Sequence, residues 1–195
     1  MGELQLGELR GYQAVPAQRG AAAVVIFPDM RGLHRFYREL ADRFASLGMA
    51  AVAIDYRTRT VADAGPAIDH LAAAGFDRIV TVGFCVGGAI SWSQSAVDDR
   101  VAGAVGFYGV PAECRELIPE MRAPLLVLAA GEDALTPADE ARRFDAELTE
   151  HGVPHTFVLY EGAPHSFFDG GFAEHAEASA DAWRRVLAFI AEVAG

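Results

Sequence analysis

"TVGFCVGGAIS", Thr81 to Ser91, sets one of only two cysteines, Cys85, between Gly83 and Gly87. An apolar run precedes this turn and a helical pattern follows it. Three chemistries use a glycine-rich strand-to-helix turn, and the residues separate them. The P-loop spacing needs a Lys and a hydroxyl residue after its second glycine, but Ala89 and Ile90 follow Gly88. The dinucleotide fingerprint fails as well, because Cys85 stands at its middle glycine. The third reading is a nucleophile elbow, G-x-S-x-G with cysteine in place of serine. A nucleophile on so sharp a turn has strained backbone angles, and side chains two residues away on either side would collide with strand or helix. Gly83 and Gly87 remove those side chains. The helix N-terminus that follows favours a thiolate.

Outward from the elbow, short apolar runs alternate with helical patterns. The runs Ala21–Phe27, Met49–Asp55, Arg78–Phe84, Val101–Gly109, Pro124–Gly131 and His155–Gly162 are bounded by turn residues, as expected of strands buried on both faces of a parallel sheet. Helices are expected over Phe36–Leu47, Ala64–Ala74, Val86–Ser95, Pro137–His151 and Glu174–Val193. Phe36, Leu40, Phe44 and Leu47 recur at helical spacing, and Gly48 sits at the stop position. Thr136 is placed to cap the fourth helix, with Pro137 in its first turn. Glu3–Leu9 and Tyr12–Val15 suggest an antiparallel edge pair. The pattern predicts one doubly wound, mostly parallel α/β sheet with helices on both faces, formed by residues 1–195 as a single domain.

Ligands bind such sheets beyond the carboxyl ends of the strands. Asp29, Arg57, Arg59, Cys85, Asp133 and His165 all follow strands. A nucleophile needs a base, and the base needs an orienting carboxylate. Cys85, Asp133 and His165 occur in the order nucleophile, acid, histidine that this fold class uses. Glu132 is the rival acid, and Asp133 is preferred by its position past the strand. Cys114, His34, His70, His151, His155 and His175 lack an equivalent context. The backbone N–H of Val86 and that of Met30, in the Asp29 loop, are the expected oxyanion donors.

Bulk properties exclude other classes. A net charge of −11 disfavours nucleic acid or an anionic membrane as partner, and the longest apolar runs are too short to span a bilayer. The N-terminus lacks the basic and apolar regions of a signal peptide, and two cysteines suggest no disulfide framework, so a reducing cytoplasm is the expected location. No C-x-x-C or H-E-x-x-H occurs, and neither a metal nor an organic cofactor is expected. The expected partner is a small-molecule ester or lactone substrate; monomer and homodimer both remain open.

"GFCVGG" and "GAPHSFFD" (Gly162–Asp169) resemble the elbow and histidine segments of the dienelactone hydrolase family of α/β-hydrolases, and the resemblance runs over almost the whole chain. It implies the α/β-hydrolase fold and a cytoplasmic, cofactor-free hydrolase that opens enol-lactones. It also implies Cys85 as nucleophile, His165 as general base and Asp133 as its orienting acid. Asp29 falls where the family carries a thiol-contacting Glu, and Arg59 aligns with an arginine that binds the substrate carboxylate. A second such arginine is replaced by Asp169, which would repel an anionic substrate; Arg31 or Arg57 are the candidates to compensate. The short connection from Asp55 to the helix near Ala64 suggests a more open pocket and a different substrate range. Two readings stand beside the hydrolase: a thioesterase or acyl-transferase with the same triad, and a non-catalytic ligand-binding or redox-responsive protein on this fold.

Overall fold

In the computed structural model, which describes residues 2–56, 58, 60–171 and 173–195, eight strands form one sheet. The strands are β1 (Gly2–Leu6), β2 (Leu9–Ala14), β3 (Ala22–Phe27), β4 (Ala50–Asp55), β5 (Arg78–Phe84), β6 (Val101–Phe107), β7 (Leu125–Glu132) and β8 (His155–Pro164). Their order is β1-β2-β4-β3-β5-β6-β7-β8, parallel from β4 through β8 and antiparallel at β1 and β2. The helices are α1 (Arg35–Ser46), α2 (Gly65–Ala73), α3 (Val86–Val97), α4 (Ala138–Glu150) and α5 (Ala176–Ala194). The chain therefore forms the doubly wound, mostly parallel sheet that its sequence pattern predicts.

Continuous apolar strands arise because both sheet faces are covered. Along β3, Ala22, Val24 and Ile26 pack into one core cluster with Tyr37, Leu40 and Phe44 of α1 and Val186 and Ile190 of α5. Ala23, Val25 and Phe27 point the other way, toward Ile68 and Leu71 of α2. Farther along that second face, Trp92 of α3 meets Phe144 and Leu148 of α4. All six β3 residues are buried, so a charge at any of them would be left without water or partner. β3 lies between β4 and β5, and the chain reverses its direction of winding there. Such a switch point opens a crevice above the carboxyl ends of the strands.

Two local expectations are corrected. The edge hairpin turns at Gly7–Glu8, with Gly7 at φ 62°, rather than near Arg10–Gly11. Gly11 lies inside β2 because a Cβ there would sit 2.8 Å from the Ala53 carbonyl oxygen. Thr136 does not cap α4: the N-cap is Pro137, and the Thr136 hydroxyl donates to the Gly109 carbonyl at 3.1 Å. Among the described residues no helix is long and apolar enough to cross a membrane.

Candidate active site

Cys85 sits between β5 and α3 at φ 56° and ψ −121°, a conformation that costs a non-glycine residue about 1–3 kcal/mol. The surroundings hold it there. Its N–H donates to the Phe107 carbonyl at 3.0 Å, and its own carbonyl accepts from Gly88 N–H at 2.9 Å. Below the turn, Ser91 of α3 donates to the Thr81 hydroxyl of β5 at 2.8 Å, a buried bond tying strand to helix. The flanking glycines are sterically compelled. A Cβ on Gly83 would lie 1.8 Å from the Gly87 carbonyl oxygen, and one on Gly87 would lie 2.3 Å from that of Phe27.

The histidine arrives from the far side of the crevice. β8 ends at Pro164, and His165 Nδ1 bonds Asp133 Oδ2 at 2.7 Å. Asp133 directly follows β7, and its side chain is almost wholly buried. Its second oxygen accepts the N–H groups of Leu135 (2.8 Å) and Thr136 (3.2 Å), so one carboxylate orients the imidazole and closes its own loop. Glu132, the rival acid, is exposed. With Nδ1 taken by Asp133, Nε2 is the nitrogen left for Cys85, which is near enough to favour the charged imidazole.

Burial opposes an imidazolium at His165, but its bonds to Asp133 and to Cys85 outweigh that penalty and raise its pKa from 6.5 to about 9. A raised pKa stabilises the folded chain fully below pH 6.5, and the contribution fades as pH climbs through about 9. The gap in unfolding midpoint between the wild type and His165→Gln should therefore be widest below about pH 6.5 and close above about pH 9. A gap of constant size across that range would contradict the pairing.

The remaining expected residues fall in two groups. Val86 opens α3 directly after Cys85, where a helix amide has no intrahelical partner. Met30 lies in the loop after β3 and is 63% exposed. Asp29 is buried, and both its oxygens are taken by Arg31: Oδ1 by the backbone N–H at 2.8 Å, Oδ2 by Nε at 2.7 Å and by Nη2. Burial works against the charge of Asp29, but the Arg31 hydrogen bonds hold its carboxyl below the usual range. Arg31 also bonds Asp169, so its charge is shared between two carboxylates. Arg57 and Arg59 lie outside the described residues.

Two participants are not singled out by the sequence pattern. Tyr108 follows β6 at φ 37°, donates its hydroxyl to Asp169, and packs its ring 4.9 Å from that of His165. His34, the N-cap of α1, comes close to Asp29 and Asp169: one ligand atom from each of the three lies within 4.8 Å of the others. The Arg31 guanidinium bonds both of those carboxylates. A positive φ after a strand marks Tyr108, but no sequence spacing announces it. Beside Val86, a groove of about 340 Å³ runs along α3, lined by Thr60, Val61, Ile90 and Leu117, with Glu113 and Glu116 exposed on its wall. Cys114, at its inner side, is buried, and burial pushes its thiol up to about 12.

The fold and the arrangement at the strand ends define an α/β-hydrolase. The chain matches the family model described as the dienelactone hydrolase family over residues 9–73 and 56–194. It belongs to the dienelactone hydrolase family, whose members are carboxylic ester hydrolases. A "Putative carboxymethylenebutenolidase" of Saccharolobus solfataricus is 30% identical over an alignment of 173 positions that covers 85% of this chain and 66% of that protein, a little under two thirds of its length. Among solved structures, a "Putative Dienelactone Hydrolase" of Klebsiella pneumoniae superposes with a TM-score of 0.85 at 25% identity, covering 97% of each chain. A dienelactone hydrolase-like promiscuous phosphotriesterase from metagenomic libraries gives 0.80 at 23% identity over 100% of this chain and 97% of its own, a likeness of fold.

Proposed function

We propose that the protein hydrolyses neutral, activated carboxylic esters or lactones through a thioester on Cys85. The observation that carries this reading is the imidazole of His165 bonded through Nδ1 to Asp133 at 2.7 Å, with its other nitrogen left for Cys85 on the strained elbow. The Cys85 thiolate attacks the carbonyl carbon, and the oxygen that becomes negative is received by the amides of Val86 and Met30. Each such donor contributes about 3 kcal/mol of transition-state stabilisation. The C–O bond then breaks, the departing alkoxide takes the proton from His165 Nε2, and the acyl group stays on sulfur.

Acylation also resets the base. It converts the thiolate into a neutral thioester and so removes one of the two partners that favour the imidazolium. The neutral imidazole then takes a proton from water, whose oxygen attacks the thioester. Sulfur leaves as thiolate and the acid is released. A thiolate leaves more readily than an alkoxide, so esters, enol-lactones and thioesters suit this route better than amides.

Charge favours a neutral substrate. Arg31 is neutralised by Asp29 and Asp169, and the exposed side chains on the groove beside Val86 include two glutamates. An anionic acyl group would meet net negative charge from those residues. The test is to quench the protein with acid during turnover of p-nitrophenyl acetate and map the acetyl group by mass spectrometry. It should lie on the peptide containing Cys85 and be labile to hydroxylamine. An acetyl group on another residue, stable to hydroxylamine, would overturn the reading. Neutral lactones should be turned over faster than carboxylate-bearing analogues of equal size.

A further inference from the structure

Asp169 is a charged side chain with no exposed surface, on the loop that follows the histidine. A carboxylate so placed is costly unless every oxygen is occupied. Here both are. Oδ1 accepts the Tyr108 hydroxyl and Oδ2 accepts Arg31 Nη2. Ser166, adjacent to His165 and itself at φ 63°, lies near enough to favour the charged carboxylate. Each partner belongs to a different part of the site. Tyr108 follows β6 and lies against the His165 ring. Arg31 follows β3 and, through its backbone N–H and guanidinium, grips both oxygens of Asp29, folding the loop that carries Met30.

We propose that Asp169 is a positioning residue that fastens the Asp29–Arg31 loop to the His165 loop, fixing the oxyanion donor relative to the base. The inference rests on the reading of Cys85 and His165 given above. Three features make the link more than a surface ion pair. Exposed ion pairs contribute little, but here the Asp29 and Asp169 side chains are 6% and 0% exposed while only Arg31, at 54%, reaches solvent. The same Nη2 bonds both carboxylates, so neither loop can shift without disturbing the other. Two carboxylates this close repel, and Arg31 between them turns the repulsion into a bridge.

The function of such a link lies in geometry and not in binding. Misplacing a donor by about 1 Å costs on the order of 100-fold in rate. A broken link should therefore lower kcat and leave KM nearly unchanged, whereas a substrate-binding role for Arg31 would raise KM. The decisive experiment measures kcat and KM for p-nitrophenyl acetate in Asp169→Asn, Arg31→Gln and the double variant, with Cys85→Ala as blank. Each single variant should lose about tenfold or more in kcat, with KM within about threefold of wild type. The double variant should fall no further than about twofold below the worse single one, because both changes break one link. A single-variant kcat within twofold of wild type would overturn the proposal, as would a loss carried by KM or losses that multiply in the double variant. Should Asp169→Asn fail to fold, Arg31→Gln decides alone by the same kcat and KM criteria. Turnover persisting in the Cys85→Ala blank would instead sink the nucleophile assignment, and the kcat criterion would still judge the link.

Discussion

Replacing Cys85 by alanine should abolish ester turnover, with a loss of about 10⁴-fold or more, while the fold survives. The size follows from what is removed. Alanine leaves the proposed oxyanion donors and the His165–Asp133 pair in place, so only background hydrolysis assisted by those groups should remain. The fold survives because the site is only 7% exposed and alanine fits wherever cysteine did. Glycine at the same position is the more revealing change. Without a Cβ, residue 85 escapes the strain at φ 56°, so Cys85→Gly should be as inactive as Cys85→Ala yet more stable than it by about 1 kcal/mol or more. Urea unfolding of the two variants measures the difference. Equal stabilities would mean that the elbow stores no strain, and wild-type turnover in either variant would move the nucleophile elsewhere.

Gly83→Ala and Gly87→Ala should each destabilise the protein by more than about 4 kcal/mol, enough to prevent folding in many domains of this size. Ordinary overpacking costs about 1–3 kcal/mol because side chains can shift. Here the obstacles are backbone. The added carbon on Gly83 would meet the Gly87 carbonyl at 1.8 Å, and that on Gly87 would meet the Phe27 and Pro28 carbonyl oxygens at 2.3 and 2.4 Å. Relief requires α3 to retreat from β5 or from β3, which would undo the buried Thr81–Ser91 bond and lift the elbow. Gly65, with open space around its added Cβ, is the control, and Gly65→Ala should be neutral or slightly stabilising. Soluble yield and urea midpoints of the three variants read the contrast. A folded, active Gly83→Ala would show that the elbow is not fixed by this contact.

The core of the fold was legible because strands covered on both faces need no alternation: Ala21–Phe27 and Arg78–Phe84 read as nearly continuous apolar runs and become β3 and β5. The elbow was legible for a local reason, since Gly83, Cys85 and Gly87 fall within five consecutive residues, even though the contact that compels Gly87 is with the end of β3. The turn of the β1–β2 hairpin was not, because Gly7 and Gly11 look alike in sequence. One supplies a positive φ, and the other makes room for the Ala53 carbonyl of a strand some forty residues away. Thr136 misled for a similar reason: Asp133, three residues earlier, takes the amide of Thr136, and Gly109 takes its hydroxyl. The partnership of Asp29, Arg31, Tyr108 and Asp169 assembles from the ends of three strands. No spacing along the chain encodes it, so Asp169 read alone suggested only repulsion of anions.

The two thiols are chemically unequal, and this gives the experimenter a counting tool. Cys114 is 1% exposed and deprotonates only near pH 12, so a chromogenic disulfide at neutral pH finds almost no reactive sulfur there. With Cys85 as the nucleophile proposed above, the colour released by the native protein should tally competent sites, one equivalent per intact chain. Dividing turnover by that tally gives a specific activity free of misfolded material.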